Sequence, residues 1–164
     1  MIYKLTLTLC GKSFMPDCIL SSIKGNYLIT DKHNATDKIF PDGKDIYDEG
    51  SISFFNPVKF SLDNHLKKYE KWFVAFLLVN YDLFVRNGVE EIVLFTEIYH
   101  ADEQCNFEVF DKELLRKVSH IDISFPVSTY LLGDVEFNNW VKEIDQEWKN
   151  YNSHRVTYFD DSNS

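Results

Sequence analysis

Cysteine is scarce in this chain. Cys10, Cys18 and Cys105 form an odd set with no CxxC spacing, which excludes a disulfide framework and a paired-thiolate zinc site. Reduced, buried thiols are the expectation. Long hydrophobic runs are also missing. The longest, Trp72 to Val79, is far short of the roughly 20 residues that span a bilayer. The opening MIYKLTLTLCGKS alternates polar and apolar residues, unlike the continuous apolar core of a signal peptide. A cytoplasmic location is expected. Basic residues are outnumbered: 17 Lys and Arg face 26 Asp and Glu, for a net charge of −9. Too few cations are available to neutralise phosphates, so neither direct nucleic-acid binding nor an anionic membrane surface is expected. Such a chain attracts cations or basic proteins instead.

Catalytic signatures are absent as well. No GxxxxGK[ST], GxGxxG or HExxH occurs, so no phosphate cradle or metalloprotease helix is encoded, and no cofactor is expected. His33, His65, His100, His120 and His154 are scattered. The nearest approach to a metal set, His100, Asp102, Glu103 and Cys105, follows no ligand spacing, so no metal is expected. With 26 acids, a general acid/base pair of carboxylates is indistinguishable from a solvated face. No catalytic residue is assigned. A non-enzymatic protein is expected, with two alternatives: a small cytosolic hydrolase assembled from dispersed Cys, His and acidic residues, or a non-catalytic adaptor domain.

Aromatic residues are plentiful, with 14 Phe, 9 Tyr and 3 Trp; they serve as core filler or as anchors for a partner. Their densest stretch, Ser61 to Gly88, organises the chain. Leu62, Leu66, Tyr69, Phe73, Phe76, Leu77 and Phe84 recur at three- and four-residue steps, predicting a long helix with Ser61 as N-cap and Gly88 as left-handed stop. A short helix is expected after Pro16. Strands are expected at Tyr3–Cys10, Asn26–Thr30, Ser51–Phe55, Glu90–His100, Asn106–Phe110 and His120–Leu132, the last at an edge or bulged by Pro126. Apolar residues on both sides of Glu90–His100 predict a strand covered on both faces. Ile121, Ile123, Phe125, Val127 and Leu131 are expected to point inward. Asp111 is placed to cap a short helix. A terminal helix from Asp134 carries Phe137, Trp140, Val141, Ile144 and Trp148 on one face, with Asp145 and Lys149 paired outside. A brief strand could close the chain at Arg155–Phe159. The expected fold is α+β: a mainly antiparallel sheet packed against one long helix and a C-terminal amphipathic helix, one domain over residues 1–159 with 160–164 frayed.

Residues 31–50, DKHNATDKIFPDGKDIYDEG, read as a long acidic loop with Pro41-Asp42-Gly43 as a turn and Phe40 and Tyr47 as isolated rings. It is either a solvated segment or an acidic binding loop. A second acidic group surrounds the turn after EEIVLFTEIYH. The expected partner-contact residues are Asp42, Asp45, Tyr47, Asp48 and Glu49 in the loop, with Glu97, Tyr99, Asp102 and Glu103 at the turn.

YKLTLTL, MPDCILSSI, SISFF, the long helix ending in NG, EEIVLFTEIYH, and NFEVFDKELLRKVSHIDISF with Tyr130 follow one another over residues 2–131. This order resembles a bacterial family of small domains of unknown function that includes immunity proteins of contact-dependent inhibition and polymorphic toxin systems. The resemblance implies an antitoxin: a non-enzymatic inhibitor of a cognate toxin domain. A basic nuclease is the expected partner, because an acidic surface would accelerate association with it and occlude it.

Overall fold

The computed structural model describes residues 1–57, 69–101 and 108–152. Five strands form one sheet: β1 (Ile2–Gly11), β2 (Leu28–His33), β3 (Gly50–Phe55), β4 (Glu91–His100) and β5 (Val127–Leu131), in the order β2-β3-β1-β4-β5. Among the described residues three α-helices accompany them: α1 (Glu70–Arg86), α2 (Lys112–Val118) and α3 (Asp134–Asn152). The fold is α+β. Every strand pair is antiparallel except β4–β5, which is parallel.

The alternation in β1 decides how the layers stack. Tyr3, Leu5, Leu7 and Leu9 are buried on one face, aligned with Ile98, Thr96, Leu94 and Ile92 of β4. Phe54 and Ile52 of β3 sit opposite Leu7 and Leu9. Helix α1 covers this face with Phe73, Val74, Phe76, Leu77 and Phe84, and α2 adds Leu114 and Val118. Phe54 is in ring contact with Tyr27 at 5.4 Å and Phe76 at 5.1 Å. Asn80, buried on α1, receives the Lys24 amide at 2.8 Å and donates to the carbonyls of Lys24 and Phe76. Its amide is fully used, so burial carries no unpaired-group cost. Helix α1 stops at Gly88, whose φ of +89° is the left-handed conformation expected there.

The opposite face is covered at one end by α3. Ile144 packs on Ile2, with Phe137, Trp140 and Val141 around them. Lys4 binds Glu147 at 3.1 Å, and Tyr151 stacks on Phe55 at 5.8 Å.

Several local expectations hold. The Asp111 carboxylate accepts the Glu113 and Leu114 amides, both at 2.9 Å, and Lys149 pairs with Asp145 at 2.7 Å. Others are corrected. The segment after Pro16 makes two 3₁₀ turns, Pro16–Cys18 and Leu20–Ser22, instead of one helix. Glu108–Phe110 is not a strand. β4 is buried on the Ile92 face, whereas Val93, Phe95, Glu97 and Tyr99 are half-buried. The expected strand from His120 shortens to Val127–Leu131, and Val127 and Leu131 face solvent. Pro126 has no N–H to offer β4, which interrupts the ladder between the Val93–Ser124 bridge and β5. The Ser61 cap, Leu62, Leu66 and the Arg155–Phe159 strand lie outside the described residues.

One core residue conflicts with its surroundings. Thr96 is fully buried on the apolar face of β4, and its hydroxyl finds no hydrogen-bond partner among the described residues. Thr96→Val keeps the branched shape and removes a desolvated hydroxyl. It is expected to stabilise the protein by about 1–2 kcal/mol, read as a higher urea midpoint at unchanged m-value. A lower midpoint would mean that the hydroxyl has a partner.

Candidate functional site: an acidic hairpin at one end of the sheet

Residues 34–49, expected as a loop, fold into a hairpin between β2 and β3. Tyr47 N–H donates to the Asp37 carbonyl at 2.9 Å, Thr36 N–H to the Tyr47 carbonyl at 3.1 Å, and Ile39 N–H to the Asp45 carbonyl at 3.0 Å. Lys38 and Ile46 form an antiparallel bridge. The tip closes with Gly43 N–H on the Phe40 carbonyl at 2.9 Å. Pro41-Asp42-Gly43 therefore does what its turn chemistry predicts, with proline at the second turn position. Composition hid the arms: polar, charged residues carry little strand periodicity.

The base of the hairpin is tied down by side chains. Buried Asn34 donates to Asp17 at 2.6 Å and to Asp37 at 3.2 Å, and accepts the Asp17 amide at 3.2 Å. Lys32 also pairs with Asp17. The Lys32 ammonium, followed by the Asn34 amide, holds the Asp17 carboxyl below its usual range. The His33 and Tyr47 rings stack with centroids 3.7 Å apart and planes 18° from parallel. Beside them opens a groove of about 590 Å³ lined by Lys12, His33, Ile39, Tyr47, Asp48 and Glu49. Asp37, Asp42, Asp45, Asp48 and Glu49 are all exposed. Between them Phe40 is 66% exposed and Ile46 48% exposed. Apolar side chains left bare between carboxylates suit a protein partner with a basic rim.

No family model matches the chain, and neither a curated protein nor a solved structure matches it.

The sequence-predicted contact residues divide into two groups. Asp42, Asp45, Tyr47, Asp48 and Glu49 share the hairpin, above the end of the sheet where Gly11 pairs with Gly50. Glu97 and Tyr99 lie at the other end, where Tyr99 pairs with Ile2. Nine residue steps of β1, from Ile2 to Gly11, separate these ends, about 30 Å at the usual strand rise. Glu97 and Tyr99 therefore share no patch with the hairpin. They are moreover committed inside the molecule. Tyr99 stacks on Trp140 at 3.5 Å and on Tyr130 at 4.7 Å, and donates its hydroxyl to Glu97 at 2.8 Å. Burial and then the Glu97 hydrogen bond hold the Tyr99 phenol protonated, well above its ordinary range. Glu97 also lies 3.9 Å from the Lys4 ammonium that holds Glu147 of α3. These residues dock the terminal helix. Asp102 and Glu103 lie outside the described residues.

Sequence reasoning missed Lys12, His33, Ile39 and Ile46. Their proximity arises from pairing β2 with β3 and turning the hairpin back over the β1 end, which no local spacing announces.

The reactive groups are modest. Cys10 is half-buried, its thiol 3.5 Å from the Ser51 hydroxyl. Burial pushes this thiol up, the Ser51 contact lowers it, and the negative charges of Glu49 and Glu91 raise it further. Such a thiol stays protonated and is a poor nucleophile. Cys18 is exposed, against the expectation of buried thiols. Among the described residues no group of three or more His, Cys, Asp or Glu could hold a metal ion, and no helix is long and apolar enough to cross a membrane.

Proposed function

We propose that this protein is an immunity protein that neutralises a cognate bacterial toxin domain by direct contact, with a basic nuclease as the favoured target. The observation that carries this reading is the hairpin: Phe40 and Ile46 stand exposed among five exposed carboxylates on a framework anchored through Asn34 and Asp17. The acidic groups would steer a basic partner and set the on-rate, and the apolar residues, once desolvated, would supply affinity. The order of sequence motifs over residues 2–131 points the same way through its resemblance to immunity proteins. Cys10 lends the hydrolase alternative no support, because burial, reinforced by the charges of Glu49 and Glu91, raises its thiol above the ordinary range. An inhibitor needs a rigid surface and no reactive group.

The test is a salt-titrated binding assay against a toxin-like domain encoded beside this protein, with RNA and DNA cleavage measured on the same samples. Nanomolar binding that weakens with salt, together with lost cleavage, is the expected result. Tight binding without any cleavage activity would keep immunity and remove the nuclease. Absence of binding would overturn the proposal and turn attention to turnover assays.

A further inference from the structure

The two edges of the sheet are unlike. β2 is protected: it carries Asp31, Lys32 and His33 and a bulge between Ile29 and Asp31. Charge and irregular register are what keep an edge from pairing with other chains. β5, VSTYL, has no charged residue and no register shift against β4. Its side chains are exposed apart from half-buried Ser128. Val127 is 52% and Leu131 61% exposed, and Val135 just beyond is 73% exposed.

The hydrogen bonds say which backbone groups remain. Thr96 N–H donates to the Pro126 carbonyl at 2.9 Å, and Leu132 N–H donates to the His100 carbonyl at 3.0 Å. Even-numbered residues of this strand therefore face β4. By the alternation of a strand, the N–H and C=O groups of Val127, Thr129 and Leu131 point out of the sheet. Among the described residues no strand pairs with them.

We propose that β5 pairs with β5 of a second copy of this chain, antiparallel about a two-fold axis through Thr129, joining two five-stranded sheets into one. This inference is independent of the proposed immunity function. The strand is complementary to itself in this register. Val127 falls opposite Leu131 of the second copy, Thr129 opposite its counterpart, and Leu131 opposite Val127. All three are hydrogen-bonded positions, so every outward group finds a partner. The cross-strand pairs are apolar–apolar and Thr–Thr, both favourable. A C2 contact needs this self-complementarity. The hairpins connect β2 to β3 on the far side of the sheet from β5 and stay open in the dimer.

Each copy carries −9, so the copies repel, and screening that repulsion with salt should tighten the dimer. This is opposite to the salt response expected for a basic partner. Sedimentation of the full chain over a concentration series, at low and high salt, should show a monomer–dimer equilibrium shifted to dimer by salt. Thr129→Lys places two ammonium groups against each other at the axis and should weaken it by about tenfold or more. Thr129→Pro deletes only an outward N–H, leaving the β4 ladder intact, and should also weaken it. Circular dichroism reports whether either variant keeps its fold. In the unmodified chain, amide exchange at Val127, Thr129 and Leu131 should slow as concentration rises. A monomer at every concentration and salt overturns the proposal. So does a dimer that leaves those three amides unprotected, or one that both folded variants retain.

Discussion

Gly50→Ala is expected to cost about 3 kcal/mol or more, a loss large enough to empty much of the folded state. Gly50 opens β3 opposite Gly11 of β1, at the foot of the hairpin. A Cβ on Gly50 would overlap the Phe14 carbonyl and lie 3.1 Å from the Ala35 amide. Both obstacles are backbone, and they are bonded to each other, Ala35 N–H donating to the Phe14 carbonyl at 3.4 Å. Phe14 itself is fully buried in the main core, so its segment has nowhere to retreat. Denaturant unfolding measures the loss. Gly133→Ala is the control: its Cβ would meet only the Glu136 carboxylate end at 3.6 Å. Gly133 is the N-cap of α3, its carbonyl accepting the Phe137 amide at 2.8 Å, so that variant should lose no more than about 1 kcal/mol, well below the loss at Gly50. Equal losses at the two sites would show that the close approach at Gly50 is not what requires glycine.

Reversing Asp42, Asp45, Asp48 and Glu49 to lysine together should slow association with a basic toxin domain about 10–100-fold at low salt and flatten the salt dependence. All four side chains are exposed, so the fold should survive, and an unchanged dichroism spectrum verifies this. Phe40→Ala should act differently. A bare aromatic ring at the tip contributes when desolvated, so its removal should accelerate dissociation and leave association nearly unaltered. Glu143→Lys, on the exposed side of α3, serves as the distant control and should change neither rate. If the fourfold reversal leaves the association rate intact, the hairpin is not the contact surface. Glu97 and Tyr99 would be misleading targets for this experiment. Substitution there loosens α3 from the sheet, through Trp140 and Lys4, before it touches any surface.

Much of the fold was legible because it is governed by neighbours in sequence. Alternation in Tyr3–Leu9 identified a half-buried strand and its inward face, and the apolar run in Ile92–Ile98 identified a central strand, though not that only its Ile92 face is fully buried. The apolar repeat from Tyr69 to Phe84 identified α1, Gly88 its stop, and Asp111 the start of α2. Asp145 and Lys149 meet because four residues make just over one helical turn. Each is a contact within a turn or a strand, so side-chain chemistry and backbone period suffice to specify it.

The arrangement of these pieces was decided elsewhere. A period-two pattern names the inward face of a strand, but every strand of the sheet shares that period, so it cannot name the neighbour. Thus β5 runs parallel to β4 because α2 and its connections carry the chain back before the strand begins. Its apolar Val127 and Leu131 face solvent because, among the described residues, no further strand lies beside them. The same holds for the site. Sequence supplied the acidic residues and the Pro41-Asp42-Gly43 turn. Tertiary structure divided them, lifting Asp42, Asp45, Tyr47, Asp48 and Glu49 onto a hairpin and spending Glu97 and Tyr99 on docking α3 at the far end. Charge is additive along a chain, whereas a surface is defined by which distant segments fold side by side.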